Sequence, residues 1–289
     1  DVNYYQSTLG SLTITIGAGP QTITFGSSSY SLVVEQVSTI TATNHVSGGG
    51  AISYSVSSVG SGSATVDATT GQLTATGAGT VTLTAQAASN SNYTAASTST
   101  LLVIGKRTPI LQILSPIEMS VGSITNAVTQ SLALYSGGGA VTFSIGGISA
   151  SVDATTGQIT ATRAGVVMLV AQSAGDTNYN PAVASTLITI GRSTPGLSLS
   201  STTSVDTMVV GSTLSITSTS IPPLPGGTVA SVGSVSFSVA GIGAGSATID
   251  PVSGLLTALA SGQVVVSGIQ GSDVNYYQST LGSLTITIG

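Results

Sequence analysis

The sequence predicts an all-β chain of tandem two-sheet sandwiches, three to each turn of a longer repeat that carries Asp1 onto Asp273. Three observations carry that expectation. Apolar and hydroxyl residues alternate in short runs, the period-2 signature of a strand with one buried face. A gap-free motif recurs three times along the chain. The segments 1–17 and 273–289 are identical.

The alternation is plainest in GTVTLTAQ at 79–86, where Val81, Leu83 and Ala85 fall on one face and Thr80, Thr82 and Thr84 on the other. In SLTITIG at 283–289, Leu284, Ile286 and Ile288 alternate with Thr in the same way. QTITF (21–25), STITAT (38–43) and AISYSV (51–56) read alike, and SGGG turns at 47–50 and 136–139 separate such runs. Branched side chains fit a pleated surface. No segment has a capped helical pattern, and about seven short strands per unit suit a two-sheet sandwich.

The repeat has two levels. DVNYYQSTLGSLTITIG occupies both 1–17 and 273–289, so the chain holds one full period, 18–289, and an overlap. Residues 1–17 are therefore expected to be the terminal strand of a preceding copy, in a continuous chain or exchanged with a neighbour. Inside the period, ATVDATTGQLTATGAG (64–79), ASVDATTGQITATRAG (150–165) and ATIDPVSGLLTALASG (247–262) align through Asp67, Asp153 and Asp250. Each Asp is followed at one constant spacing by Gly79, Gly165 or Gly262, and at a second by Tyr93, Tyr179 or Tyr276. The spans from Asp67 to Asp153 and from Asp153 to Asp250 are close to a sandwich domain of about 100 residues. Domains are expected at 18–105, 106–191 and 192–289, joined end to end by GAGP, GKRTP and GRSTP linkers into a rod. Pro20, Pro109 and Pro195 stiffen those junctions by fixing φ.

Composition narrows the function. The 289 residues include nine acids and four bases, a net charge of −5. Charged residues make up 4% of the chain, against roughly 25% in an ordinary soluble domain. Four scattered bases cannot supply the basic face that nucleic acid requires. The absence of cysteine excludes disulfides and thiolate metal sites. No apolar run is long enough for a membrane-spanning helix in this segment. A 41% hydrophobic content rich in Val, Ile and Thr argues against disorder.

The unit pattern A-T-V-D-x-x-T-G-x-L-T-A-x-x-x-G-x-V-x-L-x-A, followed by an Asn-Tyr loop and a terminal L-x-V-x-G strand, resembles bacterial immunoglobulin-like (Big-type) tandem repeat domains. The resemblance covers nearly the whole chain in three copies. It implies an immunoglobulin-like sandwich in a large cell-surface protein, extracellular localisation, and a stalk, fibre or adhesin role. The Cys–Trp–Cys set of antibody domains is missing.

Candidate chemistry is sparse. Asp67, Asp153 and Asp250 each stand alone, without the clustered carboxylates that Ca²⁺ needs. They read as turn residues whose carboxylates bond nearby backbone N–H groups. Tyr93, Tyr179 and Tyr276 read as corner tyrosines packed beneath the last strand, each hydroxyl on a backbone partner. His45, the one histidine, has no triad context and reads as a loop residue. The few bases near the linkers argue against a ligand patch. A flat ice-binding threonine face and a sugar-binding aromatic set are the weaker readings of the Thr ladders and the Asn-Tyr pairs. No enzyme, metal or cofactor is expected.

One strand departs from the pattern. GVVMLVAQ at 165–172 replaces Thr80, Thr82 and Thr84 of the first unit by Val166, Met168 and Val170. A strand apolar on both faces is covered on both, locally or by a partner. The expectation is a structural filament or stalk component that packs against copies of itself through those three residues. The alternative is a module that binds a host or carbohydrate ligand, with the IPPLPGG loop (221–227) as its contact.

Overall fold

The computed structural model describes residues 8–131, 138–203, 205–221 and 233–289. All regular structure among them is β. The first sandwich contains β1 (Ile23–Phe25), β2 (Ser29–Val33), β3 (Val37–Thr39), β4 (Ala42–Asn44), β5 (Ile52–Ser58), β6 (Ser63–Val66), β7 (Gln72–Gly77), β8 (Gly79–Ala87) and β9 (Ala96–Gly105). One sheet has the order β2-β9-β8-β5, with β2 parallel to β9 and the other pairs antiparallel. The facing layer is made of β3-β7-β6 and the β1-β4 ladder. This is the arrangement of an immunoglobulin-like sandwich.

The alternation in sequence becomes the layering in space. Val81, Leu83 and Ala85 of β8 are buried, and Leu73 and Ala75 of β7 and Leu102 and Ile104 of β9 supply further core. Thr80, Thr82 and Thr84 are half-buried on the outer face.

The order recurs twice. In the second sandwich Glu118–Ser120, Ala182–Gly191, Gly165–Ser173 and Val141–Gly146 form the four-stranded sheet, the first of them parallel to its neighbour. Ile124–Asn126, Gln158–Ala161 and Ala150–Val152 face it. In the third, Thr207–Met208, Gly282–Ile288, Gly262–Gln270 and Val235–Ile242 face Gly196–Ser201, Thr213–Ile221, Leu255–Ala260 and Ser246–Ile249. The fold is thus a tandem of immunoglobulin-like β-sandwiches.

Compact units do not follow the repeat boundaries. The first unit runs to Thr108 and takes in Gly175–Asn180, the loop that carries Asn178 and Tyr179. The second comprises Pro109–Ala174 and Pro181–Gly289, and so holds the bodies of the second and third sandwiches.

The duplicated segment has two fates. At 282–288 it is a strand with Ile286 and Ile288 buried. At 10–17 the same residues form no strand, and Leu12, Ile14 and Ile16 are exposed. They do not join the first sandwich. The expectation that 1–17 completes a preceding copy also involves residues 1–7, which lie outside the described ones.

Candidate functional site: turns and Asn-Tyr junctions

Each motif Asp organises a tight turn. Asp67 Oδ1 accepts the N–H groups of Thr69 (2.9 Å) and Thr70 (2.7 Å) and the Thr70 hydroxyl (2.9 Å). Asp153 repeats this with Thr155 and Thr156, and Asp250 with Val252 and Ser253. The Thr70 and Thr156 backbone donors, and that of Ser253 at Asp250, hold all three carboxyls below the usual aspartate range. The following Gly71, Gly157 and Gly254 have φ near 70°, a conformation that favours glycine. A Cβ at Gly71 would also lie 2.6 Å from the Ile40 carbonyl oxygen. The local sequence D-x-x-T/S-G thus closes a hairpin whose donors are all backbone or hydroxyl. Among the described residues no group of three His, Cys, Asp or Glu side chains could hold a metal ion.

The Asn-Tyr pairs form a second recurrent device. Each loop is held by a side chain three positions before the Tyr, which sequence reading missed. Asp176 Oδ1 accepts the N–H groups of Asn178 (2.7 Å) and Tyr179 (2.8 Å). Asp273 does the same for Asn275 and Tyr276, both at 2.7 Å, and Asn90 for Asn92 and Tyr93, both at 2.9 Å. Each loop also forms a short parallel bridge with the linker that enters its own sandwich: Gly19 with Tyr93, Arg107 with Tyr179, and Ser193 with Tyr276. Each bridge ties its loop to that linker.

This corrects the expected packing of the tyrosines. Within the first unit, the Tyr179 hydroxyl donates to Glu35 Oε1 at 2.6 Å, a carboxylate and not a backbone group. Asn178 Oδ1 accepts the Ala78 N–H at 3.0 Å, at the turn between β7 and β8. Within the second unit, Tyr276 joins the core of the second sandwich beside Val121, Ile159 and Ile190. Asn275 Oδ1 accepts the Ala164 N–H at 3.0 Å. So Asn178 and Asn275 make one and the same contact, on turn residues that occupy equivalent places in the motif. Tyr93, by contrast, is half-buried and Asn92 exposed.

The two filled seats differ in polarity. Glu35 has φ 66° and is the one non-glycine with positive φ among the described residues. It follows Val34 in a turn closed by Gln36 N–H to Val33 C=O at 3.0 Å, the pattern of a type II turn. Gly122 (φ 87°) and Gly211 (φ 87°) hold that place after Val121 and Val210. Burial, then the Glu35 hydrogen bond and charge, push the Tyr179 hydroxyl up to about 12. Burial, then Asp273, raises Tyr276. Around Tyr276, Arg192 donates to the Tyr276 carbonyl and stacks 4.5 Å from the Tyr277 ring centroid. The Ser193 hydroxyl reaches the Val121 carbonyl at 2.6 Å.

The remaining sequence candidates stay apart from these seats. Val166 and Met168 are exposed and Val170 half-buried on the outer face of the second sandwich, and the exposed Leu187 lies across from Met168. His45 lies at the surface with its ring 2.7 Å from the Thr24 hydroxyl. Most of the IPPLPGG loop lies outside the described residues. No helix among the described residues is long and apolar enough to cross a membrane.

Neither a family model nor a curated protein matches the sequence. Among solved structures the chain is similar to human protocadherin-24 EC1-2, with 15% identity, TM-score 0.26, and coverage of 58% of this chain and 96% of that one. It is similar to fibronectin(III)-like modules of Clostridium thermocellum CbhA, with 18% identity, TM-score 0.24, and coverage of 62% and 93%. It is also similar to three N-terminal domains of the bacteriophage RB49 Highly Immunogenic Outer Capsid protein, with 14% identity, TM-score 0.24, and coverage of 93% and 98%.

Proposed function

We propose that this chain is a structural repeat of a bacterial extracellular filament or adhesin stalk, with no catalytic role. The observation that carries the reading is the recurrence of one seated loop. Asn178 and Asn275 cap equivalent turns in the two units. Such a device serves the continuity of a repeated chain. The division into domains at 18–105, 106–191 and 192–289 belongs to the same reading.

Lateral association is the second part of the proposal. A chain with 4% charged residues has little surface charge to keep neighbouring copies apart. The Val166, Met168 and Val170 stripe, continued by Leu187, is the place where copies of the chain meet. A weak contact repeated along a chain becomes strong by multivalency. Replacing all three by Thr, as in the first sandwich, is expected to preserve the fold and loosen the assembly. Electron microscopy and denaturant resistance of the assembled material test it. Unchanged filaments from the triple variant would remove this face from the account, and material without filaments would remove the function.

A further inference from the structure

Equivalent residues at the far ends of the three sandwiches are not equally covered. Val34, Val121 and Val210 each precede the positive-φ residue of the same turn, and their N–H groups bond Gly105, Gly191 and Gly289 respectively. Val34 is 2% exposed and Val121 0%, but Val210 is 50% exposed. The turn residues Ala78 and Ala164, capped by Asn178 and Asn275, are half-buried, whereas Ser261 at the aligned position is exposed. A Cβ built on Gly211 would meet nothing within 4 Å. The third sandwich thus carries the same seat with its floor open.

A matching loop is present and unseated. Asn92 and Tyr93 are pre-shaped by Asn90 and by the bridge to Gly19, as their counterparts are by Asp176 and Asp273. Tyr179 and Tyr276 are buried to 6% and 1% exposure, while Tyr93 keeps a half-exposed ring. The sequence identity of 1–17 with 273–289 puts Gly17, just ahead of this loop's linker, in register with Gly289.

We propose that the end of the third sandwich, built from Val210, Gly211 and the Ser261 N–H, receives Asn92 and Tyr93 of the next copy of this repeat. Asn92 Oδ1 of that copy caps the Ser261 N–H, and its Tyr93 covers Val210. With Gly211 in place of Glu35, the seat has glycine at the turn position, as the seat that takes Tyr276 has at Gly122. The join runs head to tail, so it does not close on itself and extends without limit. This deepens the tandem-repeat reading and rests on it for the identity of the occupant.

The test is amide exchange on two chains: the single chain 1–289, and a two-period polypeptide in which residues 18–289 follow Gly289. In the two-period chain the first copy's Ser261 amide is expected to exchange about tenfold more slowly than in the single chain, matching one newly protected hydrogen bond. The second copy's Ser261 stays fast. Asn92→Ala placed only in the second copy restores fast exchange at the first copy's Ser261 and leaves Ala78 and Ala164 unchanged. Equal Ser261 rates in the two chains, or slowing that survives Asn92→Ala, would overturn the proposal. Filaments that form while Ser261 stays fast sink the seat and spare the structural function. A slowed Ser261 without filaments does the reverse.

Discussion

Tyr179 and Tyr276 occupy the same place in successive repeats and are held by the same aspartate turn, yet they end in different chemistry. Tyr276 is one more member of an apolar core. Tyr179 donates to a buried carboxylate whose second oxygen, Glu35 Oε2, has no hydrogen-bond partner among the described residues. The first seat is thus specific for a hydroxyl, because a buried acceptor left without its donor is costly. The second buries its ring among Val121, Ile159 and Ile190. The backbone bears the difference too, since Glu35 holds a left-handed turn position that glycine fills in the other two sandwiches.

The largest effect is expected from emptying the apolar seat. Tyr276→Ala should destabilise the second unit by about 3–5 kcal/mol, the range for an aromatic removed from a core, read from urea unfolding of the whole chain. Tyr179→Phe keeps the ring and removes the donor, and should cost the first unit about 1–3 kcal/mol. Adding Glu35→Gly to Tyr179→Phe should recover about 1 kcal/mol or more, because it removes both the orphaned carboxylate and the strained φ. A Tyr179→Phe protein as stable as the parent would erase the distinction between the seats.

Alkali sharpens the comparison. The folded Tyr179 hydroxyl titrates at about 12 against an ordinary value of 10.0. The protonated form is the one folding favours, so this stabilisation is whole below pH 10 and is lost as pH rises through 12. Tyrosinate absorbance followed alongside unfolding should show the Tyr179→Phe protein losing less stability across that window. Acid gives the smallest effect and spares the contrast between seats. Asp67, Asp153 and Asp250 lie below 3.8 when folded. Their contribution is present above that value and fades as pH falls through the lowered ones. Asn replacements at the three sites should flatten the acid limb of a thermal-stability profile.

Much of this was legible in the sequence, for physical reasons. Strand faces follow from a period of two, so Val81, Leu83 and Ala85 could be placed inward from their spacing alone. The lone Asp ahead of T-G identified its turn because an exposed carboxylate with no clustered partner finds backbone donors. The neighbour of each tyrosine was not legible. Nothing local to D-T-N-Y reveals which way a loop points, and its bridge to Arg107 and its bonds to Ala78 and Glu35 fix that. Glu35 was hidden for a related reason, since VVEQV shows no glycine to mark the turn that Gly122 and Gly211 mark elsewhere. The identical segments 10–17 and 282–289 make the point most simply. The sequence is the same, and only the copy beside Gly262–Gln270 becomes a strand.

The parallel pairing of each sandwich's early and last strands has a mechanical consequence. Their free ends leave in opposite directions, so tension applied through the chain slides one strand along the other and strains every bond of the pair together. Five residue pairs share that load between β2 and β9. Three do so between Glu118–Ser120 and Ala182–Gly191, and two between Thr207–Met208 and Gly282–Ile288 among the described residues. Under stretching the third sandwich is expected to give way first and the first to hold longest.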